Sequence, residues 1–494
     1  MLKLQQPGSL YIGGEWVRAS DKEAVINPAD ESVIAEAPVG SAAAISDAIG
    51  IAYDAFHNGP WRRMSVTERQ AKLTEFLDAI DRRKAEIVEL IIAEAGSTRM
   101  LADFLQFGIP MKHARKTVEI ASRPAMSSLP VELTPNAQGG KTLGTGVVSR
   151  EPVGVVSAIT PYNFPFFLNI GKIIPALATG CSVVLKPSPY TPIEALFLGE
   201  IADEVGLPKG VLNIVTGDIE ASKLLTTDKR IDLIHFTGSD KVGAMIQAQA
   251  AHNLTRCVME LGGKSPNIVF ADCPDLDRAV AAAVGSIFFN QGESCNAPSR
   301  LFVEASIKDA FLEKALALVP RYQPGNPLDK NTVMGAIVDK VQMDNVLRYI
   351  GLGKSEGAKL LAGGEAAMPV AGGHYVLPTI FDGVTPQMTI AREEIFGPVL
   401  SVMSFTDAAE VVREANRSVY GLQAAVWTRD INKAHGVARA LRAGTVHVNQ
   451  YDEDDITVPF GGFKQSGVGR DKSLHAFDKY TEVKTTWIRI DSPL

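Results

Sequence analysis

The stretch from Gly154 to Ser239 opens on GVVSAITP (Gly154–Pro161) and continues through CSVVLKPSP (Cys181–Pro189), VLNIVTG (Val211–Gly217) and IDLIHFTGS (Ile231–Ser239). Each run is short, apolar, rich in β-branched residues and closed by proline or glycine. A strand buried on both faces reads this way, because no side of it needs to be polar. Between the runs lie helix-like segments such as TPIEALFLGEIADEVG (Thr191–Gly206). Strand, turn, helix and strand in this order predict βαβ units and a parallel sheet. Ligands of such sheets bind beyond the carboxyl ends of the strands. Here those ends carry Asn163, Lys186, Thr216 with Gly217, and Ser239.

Working outward, a second alternation runs through SPNIVF, SRLFVEAS, PTIF, GPVLSVMSF, AAVWT and TVHVN, which predicts a second α/β unit. Toward the N-terminus, residues 65–95 space their apolar positions by three and four. Ser65 stands three residues before Glu68 as a capping box, so the pattern predicts one helix. AVAAAVGSIFF (Ala279–Phe289) reads as a buried helix. MSSLPVELTPNAQGGKTLGTG (Met126–Gly146) is either a loop or an exposed hairpin.

The chain has 494 residues, 46% hydrophobic and 21% charged, with a formal net charge of −7. This composition suits a soluble protein of two or three domains handling small molecules, and it argues against a nucleic-acid partner. Four cysteines show neither a disulfide framework nor metal-ligand spacing, which predicts a reducing compartment. The N-terminus lacks the apolar core of a signal peptide, and no stretch approaches the roughly 18 apolar residues of a membrane span. A cytoplasmic location is expected. The eight histidines show no ligand pattern, so no metal is expected.

Two fingerprints fail on inspection. GTGVVS (Gly144–Ser149) precedes a strand instead of following one, and GKS (Gly353–Ser355) lacks the upstream glycine of a P-loop. HFTGSDKVG (His235–Gly243) is better placed. It ends a strand and opens a helix, where free backbone N–H groups and the helix dipole favour a phosphate. Ser239 could add a hydroxyl there, and Lys186 could hold a ribose or phosphate. The plain alternatives are an ordinary turn and a solvated lysine.

FFNQGESCNAPSR (Phe288–Arg300) sets Cys295 among small polar residues, whereas a structural cysteine prefers an apolar niche. At an unperturbed pKa of roughly 8.5 little thiolate exists at pH 7, so a nucleophilic Cys295 is expected to sit where the thiolate is favoured. MELGGKSPNIVF (Met259–Phe270) puts Glu260 in apolar company, where a raised pKa would suit a general base. A buried structural glutamate is the alternative. Asn163, in PYNFPFF (Pro161–Phe167), could donate to a developing oxyanion. Nucleophile, base, oxyanion donor and nucleotide site together fit covalent capture of a carbonyl, hydride transfer to a nicotinamide and thioester hydrolysis.

The chain resembles the aldehyde dehydrogenase superfamily over nearly its whole length. The motifs PYNFP, LKPSPYTP, FTGS, ELGGKSPNIVF, NQGESCNAPSR, EEIFGPVL, PFGGFKQSGVGRD and YTEVKT occur in family order. The resemblance implies that Cys295 is the nucleophile and Glu260 activates the deacylating water. Asn163 and the Cys295 backbone N–H would form the oxyanion hole, with Lys172 and Asp471 in a proton relay. NAD, with NADP tolerated, would be held by Ile159, Thr160, Lys186, Ser188, Pro189, Gly217, Thr237, Gly238, Ser239, Leu261, Gly262, Glu394 and Phe396. Tyr162, Phe164, Phe289 and Phe460 would line the substrate tunnel.

The implied fold is α/β, with a Rossmann-type cofactor domain (1–128 and 152–261), a catalytic domain (262–476) and a small β-arm oligomerisation domain (129–151 and 477–494) that builds dimers or tetramers. Three departures from the family pattern stand out: Pro189 where many relatives place a ribose-binding glutamate, Asp471 for the usual glutamate, and Tyr162 for the common tryptophan. The C-terminal portion is most similar to bacterial dehydrogenases of amine-derived aldehydes. In NQYDEDDITVPF (Asn449–Phe460) the acids Asp452, Glu453, Asp454 and Asp455 either form a solvated loop or, with Asp454 foremost, attract a cationic substrate. A broad-range aliphatic or aromatic aldehyde dehydrogenase, a coenzyme-A-acylating semialdehyde dehydrogenase and a non-catalytic binding relative are the alternatives. Glu260 speaks against the second, and intact Cys295, Glu260 and Asn163 against the third.

Overall fold

A computed structural model describes residues 4–121, 126–135, 137, 139–452 and 455–490. The four opening runs form the centre of an eight-stranded sheet. Val155–Ile159 pairs in parallel with Ser182–Lys186 on one side and Leu233–Thr237 on the other. Leu212–Ile214 and Arg256–Glu260 extend the sheet, again in parallel. The hairpin Ser9–Arg18 closes one edge, and the two-residue strand Gly467–Val468 closes the other, antiparallel to Met259–Glu260.

Alternation along each strand sends side chains into two separate cores. Val156, Ala158, Val183 and Leu185 face helices Pro165–Thr179 and Ile193–Glu204. Val155, Val184, Ile234 and Phe236 face the helices Ala42–His57 and Asp240–Ala250. Burying each such valine, leucine or isoleucine contributes about 1.5–3 kcal/mol, so a charged residue on either face would disrupt the sheet. Both faces are covered, as the unbroken apolar runs required.

The chain leaves Val155–Ile159 toward one edge and later returns to its other side with Leu233–Thr237. This reversal opens a crevice at the carboxyl ends of those two strands. A second, seven-stranded sheet runs in the order Lys359–Ala362, Thr379–Asp382, Val399–Phe405, Arg300–Glu304, Pro266–Val269, Gln423–Trp427, Thr445–Val448, all parallel except the first. Residues 261–265 lead from the end of the first sheet to the start of the second. The crevice therefore faces the amino ends of Pro266–Val269 and Arg300–Glu304.

The segment from Met126 settles as a hairpin. Met126–Pro135 pairs antiparallel with Lys141–Pro152, and Thr481–Ile490 joins the latter as the third strand. The helix expected over 65–95 is two helices, Val66–Arg82 and Lys84–Ala95. Its capping box is present. At Arg83 the backbone leaves helical geometry while the guanidinium covers the Phe197 ring at 4.3 Å. The second helix is apolar around most of its circumference and sends Ile87, Val88, Leu90, Ile91 and Ile92 into the first core. Neither glycine nor proline marks the break.

Candidate active site

Glu260 is the last residue of its strand, in register with Thr237 on one side and Gly467 on the other. It is buried, and neither carboxylate oxygen has a hydrogen-bond partner. Burial pushes its pKa up to about 7, restrained by the positive charges of Lys479, Lys172 and Arg470. Space for the carboxylate depends on Gly461, where a Cβ would lie 3.1 Å from Glu260 Oε1 and the φ of +152° admits glycine far more readily than other residues. Past Glu260, the Leu261 N–H donates to the Ser466 carbonyl at 3.0 Å, and the Ser466 hydroxyl donates to the Gly262 carbonyl at 2.7 Å.

Cys295 reaches the same place from the opposite direction. Helix Leu276–Phe288, capped by Asp275, ends in a turn where Asn290 and Gln291 take φ values of 46° and 47°. Such left-handed residues are costly unless held. The Asn290 side-chain amide holds them by donating to the carbonyls of Asn163 (3.0 Å) and Glu293 (3.2 Å). The Asn163 amide in turn donates to the Glu293 carbonyl at 2.9 Å. Asn163 sits just before helix Pro165–Thr179, whose first-turn proline is pre-set for helical φ. These bonds fasten Asn163 two residues upstream of Cys295.

The expectation that the site favours the thiolate is reversed in this structure. The residue is partly exposed, but burial of its thiol pushes the pKa up, and Glu394, Glu260 and Asp452 push the same way. The first cause is burial, which removes water from the thiolate, and the three acids add to it.

Lys172 is buried on its helix, donates to Thr237 Oγ1 at 2.8 Å and is brought down to about 7 by burial, which Glu260 opposes. Asp471 accepts from Lys479 and lies 3.4 Å from His235 Nε2. At the crevice, the Thr160 N–H bonds the Lys186 carbonyl, extending the pairing that aligns Ile159 with Lys186. The Lys186 amine donates to the Pro187 carbonyl at 3.3 Å, and burial lowers its pKa. Ser188 is buried and caps its own turn by accepting from the Tyr190 N–H at 3.2 Å, while Pro189 is exposed. Gly217 packs beside Gly40 at the neighbouring strand end.

Ser239 is the N-cap of helix Asp240–Ala250, accepting from the Val242 N–H at 3.4 Å, and the Gly238 N–H bonds the Glu260 carbonyl. Glu394 accepts from the Gly263 N–H at 2.9 Å, and burial raises it to about 7. It fills the space that a side chain on Gly262 would need, since a Cβ there would meet its Oε2 at 2.1 Å. Phe396 takes a positive φ of 55° and meets Tyr162 edge-on at 6.2 Å. A capped helix N-terminus at the sheet's reversal, a lysine at the next strand end and a close glycine turn fit a dinucleotide.

Phe164 and Phe289 stack at 6.2 Å, and Tyr162 donates to Glu293 at 3.2 Å. Phe460 bridges to Asp471. Of the acidic run, Asp452 accepts from Asn296 at 3.0 Å, beside Cys295, and Asp455 caps Thr457 in its own loop. Glu453 and Asp454 lie outside the described residues. Three buried groups escaped the sequence reading: Glu293, raised to about 8 by burial, together with His235 and Lys479. Glu293 stands within the cysteine motif and Lys479 directly before YTEVKT, so position next to a motif was the available signal.

The aldehyde dehydrogenase family model matches residues 16–486. An NADP/NAD-dependent aldehyde dehydrogenase of Escherichia coli, PuuC, is 41% identical over 99% of this chain and 97% of its own length. Among solved structures, the γ-glutamyl-γ-aminobutyraldehyde dehydrogenase of Burkholderia cenocepacia is 45% identical with a TM-score of 0.92, covering 98% of this chain and 97% of that one. The P. syringae indole-3-acetaldehyde dehydrogenase AldA, a mutant in complex with NAD+ and IAA, also shows 45% identity and a TM-score of 0.92, over 99% and 98%. The chain belongs to the aldehyde dehydrogenase family. Its reaction is the NAD(P)-dependent oxidation of an aldehyde.

Proposed function

We propose that Cys295, Glu260 and Asn163 carry this oxidation and that the aldehyde is amine-derived. The observation that supports the roles most directly is Glu260: a buried carboxylate with both oxygens unpartnered, near half-ionised at pH 7, as a base for water requires. The Cys295 sulfur adds to the carbonyl carbon, and its proton leaves through a neighbouring carboxylate. The oxyanion that forms is stabilised by the Asn163 amide and the Cys295 N–H. NAD(P), when bound, would supply the hydride acceptor. The resulting thioester on Cys295 is attacked by a water whose proton passes to Glu260, releasing the carboxylic acid and restoring the thiol.

Lys186, Ser239, Glu394 and Phe396 hold the cofactor in this reading, and Tyr162, Phe164, Phe289 and Phe460 hold the substrate chain. The amine-derived substrate is supported by Asp452 beside the cysteine and by the likeness to the γ-glutamyl-γ-aminobutyraldehyde dehydrogenase. The stacked Phe164–Phe289 pair and the indole-3-acetaldehyde relative favour a second reading, an aromatic aldehyde. Measuring kcat/KM for an ω-aminoaldehyde, an uncharged aldehyde of equal length and an aromatic aldehyde, by NADH absorbance, separates the two. A clear preference for the cation is expected; equal values, or a preference for the ring, would overturn it.

The three-part division into cofactor, catalytic and oligomerisation segments belongs to the same proposal, as do a cytoplasmic location and a homodimer or homotetramer. No helix of the described residues is long and apolar enough to cross a membrane. The three-stranded sheet exposes Val131, Leu133, Val483, Trp487 and Ile488, which supports its use in assembly.

A further inference from the structure

Residues 99–120 wind as one helix in three stretches: Arg99–Leu101, a π turn over Ala102–Gly108, and Ile109–Ile120. In the wide turn the Ile109 N–H reaches back five residues to the Phe104 carbonyl. Pro110 follows directly. In a regular helix its ring would crowd the Gln106 carbonyl, and it has no N–H to give the ladder. Such turns are rare and cluster at functional sites. On this one the neighbours Gln106 and Phe107 are both buried. Phe107 stacks on Phe166 of helix Pro165–Thr179 at 5.1 Å. Gln106 is polar, so its burial needs hydrogen-bond partners.

The Gln106 side-chain nitrogen faces three oxygens: the Ser97 hydroxyl at 2.5 Å, the Asn163 carbonyl at 3.3 Å and Asn290 Oδ1 at 3.5 Å. Its two N–H groups serve the first two, and the Ser97 hydroxyl donates to Asn290 Oδ1 at 3.3 Å. The Asn163 carbonyl can only accept, so the nitrogen of the amide, not its oxygen, must lie on this side. All four residues are buried, and no solvent stands in for a lost donor.

Asn163 lies in residues 160–164, between strand and helix and outside regular structure. Side chains hold its backbone there, since Gln106 and Asn290 both donate to its carbonyl. One N–H of its own amide is spent on the Glu293 carbonyl, which leaves the other for an oxyanion.

We infer that Gln106 is a positioning residue of the oxyanion hole, carried to Asn163 by the π turn. It holds the Asn163 backbone so that the remaining amide N–H meets the developing charge. The inference rests on the proposed role of Asn163. Such a donor works only within about 0.5 Å of its productive place, so losing the clamp costs rate and spares cofactor binding.

The test is kcat, aldehyde KM and cofactor Kd for Gln106→Met, alone and in an Asn163→Ala background. Methionine keeps the volume and removes both donors. The single variant should lose about tenfold in kcat, with KM and Kd within about twofold of wild type. In the Asn163→Ala background no side-chain donor is left to position, and the same change should cost less than about twofold. An equal loss in both backgrounds, or a loss below about twofold in the single variant, overturns the inference. Should Gln106→Met fail to fold, Ser97→Ala removes the acceptor that anchors the amide. It should lower kcat several-fold only where Asn163 is intact; no loss, or the same loss in both backgrounds, overturns the inference equally. Asn163→Ala by itself tells the two ideas apart. If it costs less than about tenfold, the role of Asn163 is wrong; if it costs about 100-fold or more while Gln106→Met costs nothing, only the inference about Gln106 fails.

Discussion

Glu260→Gln should make this protein more stable while stopping its turnover. In the native state Glu260 holds its proton up to about 7, whereas its ordinary value is 4.5. Between those values the folded chain binds more protons than the unfolded chain, so stability falls as pH rises. The contribution is fully present below the unfolded value and lost as pH passes through about 7. A shift from 4.5 to about 7 corresponds to up to about 3 kcal/mol at pH 8, from ~1.4 kcal/mol per unit. Glutamine carries no charge to desolvate and escapes that loss. Thermal melts of wild type and Glu260→Gln should coincide near pH 4.5–5 and separate by several degrees at pH 8, the variant melting higher. Under the proposed mechanism the same variant should give one equivalent of NADH rapidly and then stall, with acylated Cys295 visible by mass. If the melts do not separate at pH 8, or separate equally at pH 5, the carboxylate is not held out of water as described. If the NADH burst is lost as well, the acylation step depends on Glu260 and the assignment to water activation is wrong.

Asn163→Ala removes one oxyanion donor and should lower kcat by about 100- to 1,000-fold, about 2.7–4 kcal/mol, with cofactor Kd unchanged in fluorescence titration; a loss below tenfold would count against the role. Pro189→Glu, at an exposed position beside Lys186, should weaken NADP binding much more than NAD binding, because a carboxylate there repels a 2′-phosphate; equal effects would mean residue 189 does not face the ribose. Asp452→Asn should lower kcat/KM for an ω-aminoaldehyde more than for an uncharged aldehyde of equal length, with the difference shrinking in salt; equal losses would show that Asp452 only orients Asn296.

The parts legible in the sequence are those whose cause is local. Val155–Ile159 and Ser182–Lys186 announced a doubly covered parallel sheet because a strand with no polar side has few other places to lie. Cys295, Glu260 and Asn163 stood out because each residue type disagreed with its neighbours. The break at Arg83 was hidden, since the helical spacing continues across it and the cause is a contact with Phe197, far along the chain. His235 was hidden for the same reason: it looks like one more strand residue until Tyr480, 245 positions away, reaches its ring. Lys479 reads as a surface lysine until the fold lays the loop carrying Asp471 against Glu260.

The misjudged thiol shows what a local reading omits. A cysteine among Asn, Gln, Gly and Ser lacks any neighbouring acid in the sequence except Glu293, so its environment looked neutral. The fold instead brings Glu260 from the first sheet, Glu394 from the connection between Thr379–Asp382 and Val399–Phe405 of the second, and Asp452 from the loop after its last strand. Cys295 and Glu260 then share one poorly solvated pocket, where the ionisation of either raises the cost of ionising the other. A thiol beside an ionised Glu260 is therefore the favoured resting pair above pH 7, and a thiolate forms as its proton moves to a carboxylate. The negative charge count stays constant through that transfer, and the buried lysines that balance it need not move. Charge then passes from sulfur to the substrate oxygen, toward Asn163, so the pocket that resists a free thiolate does not resist the adduct. The raised thiol is thus consistent with nucleophilic use of Cys295, provided that substrate arrives before the proton leaves.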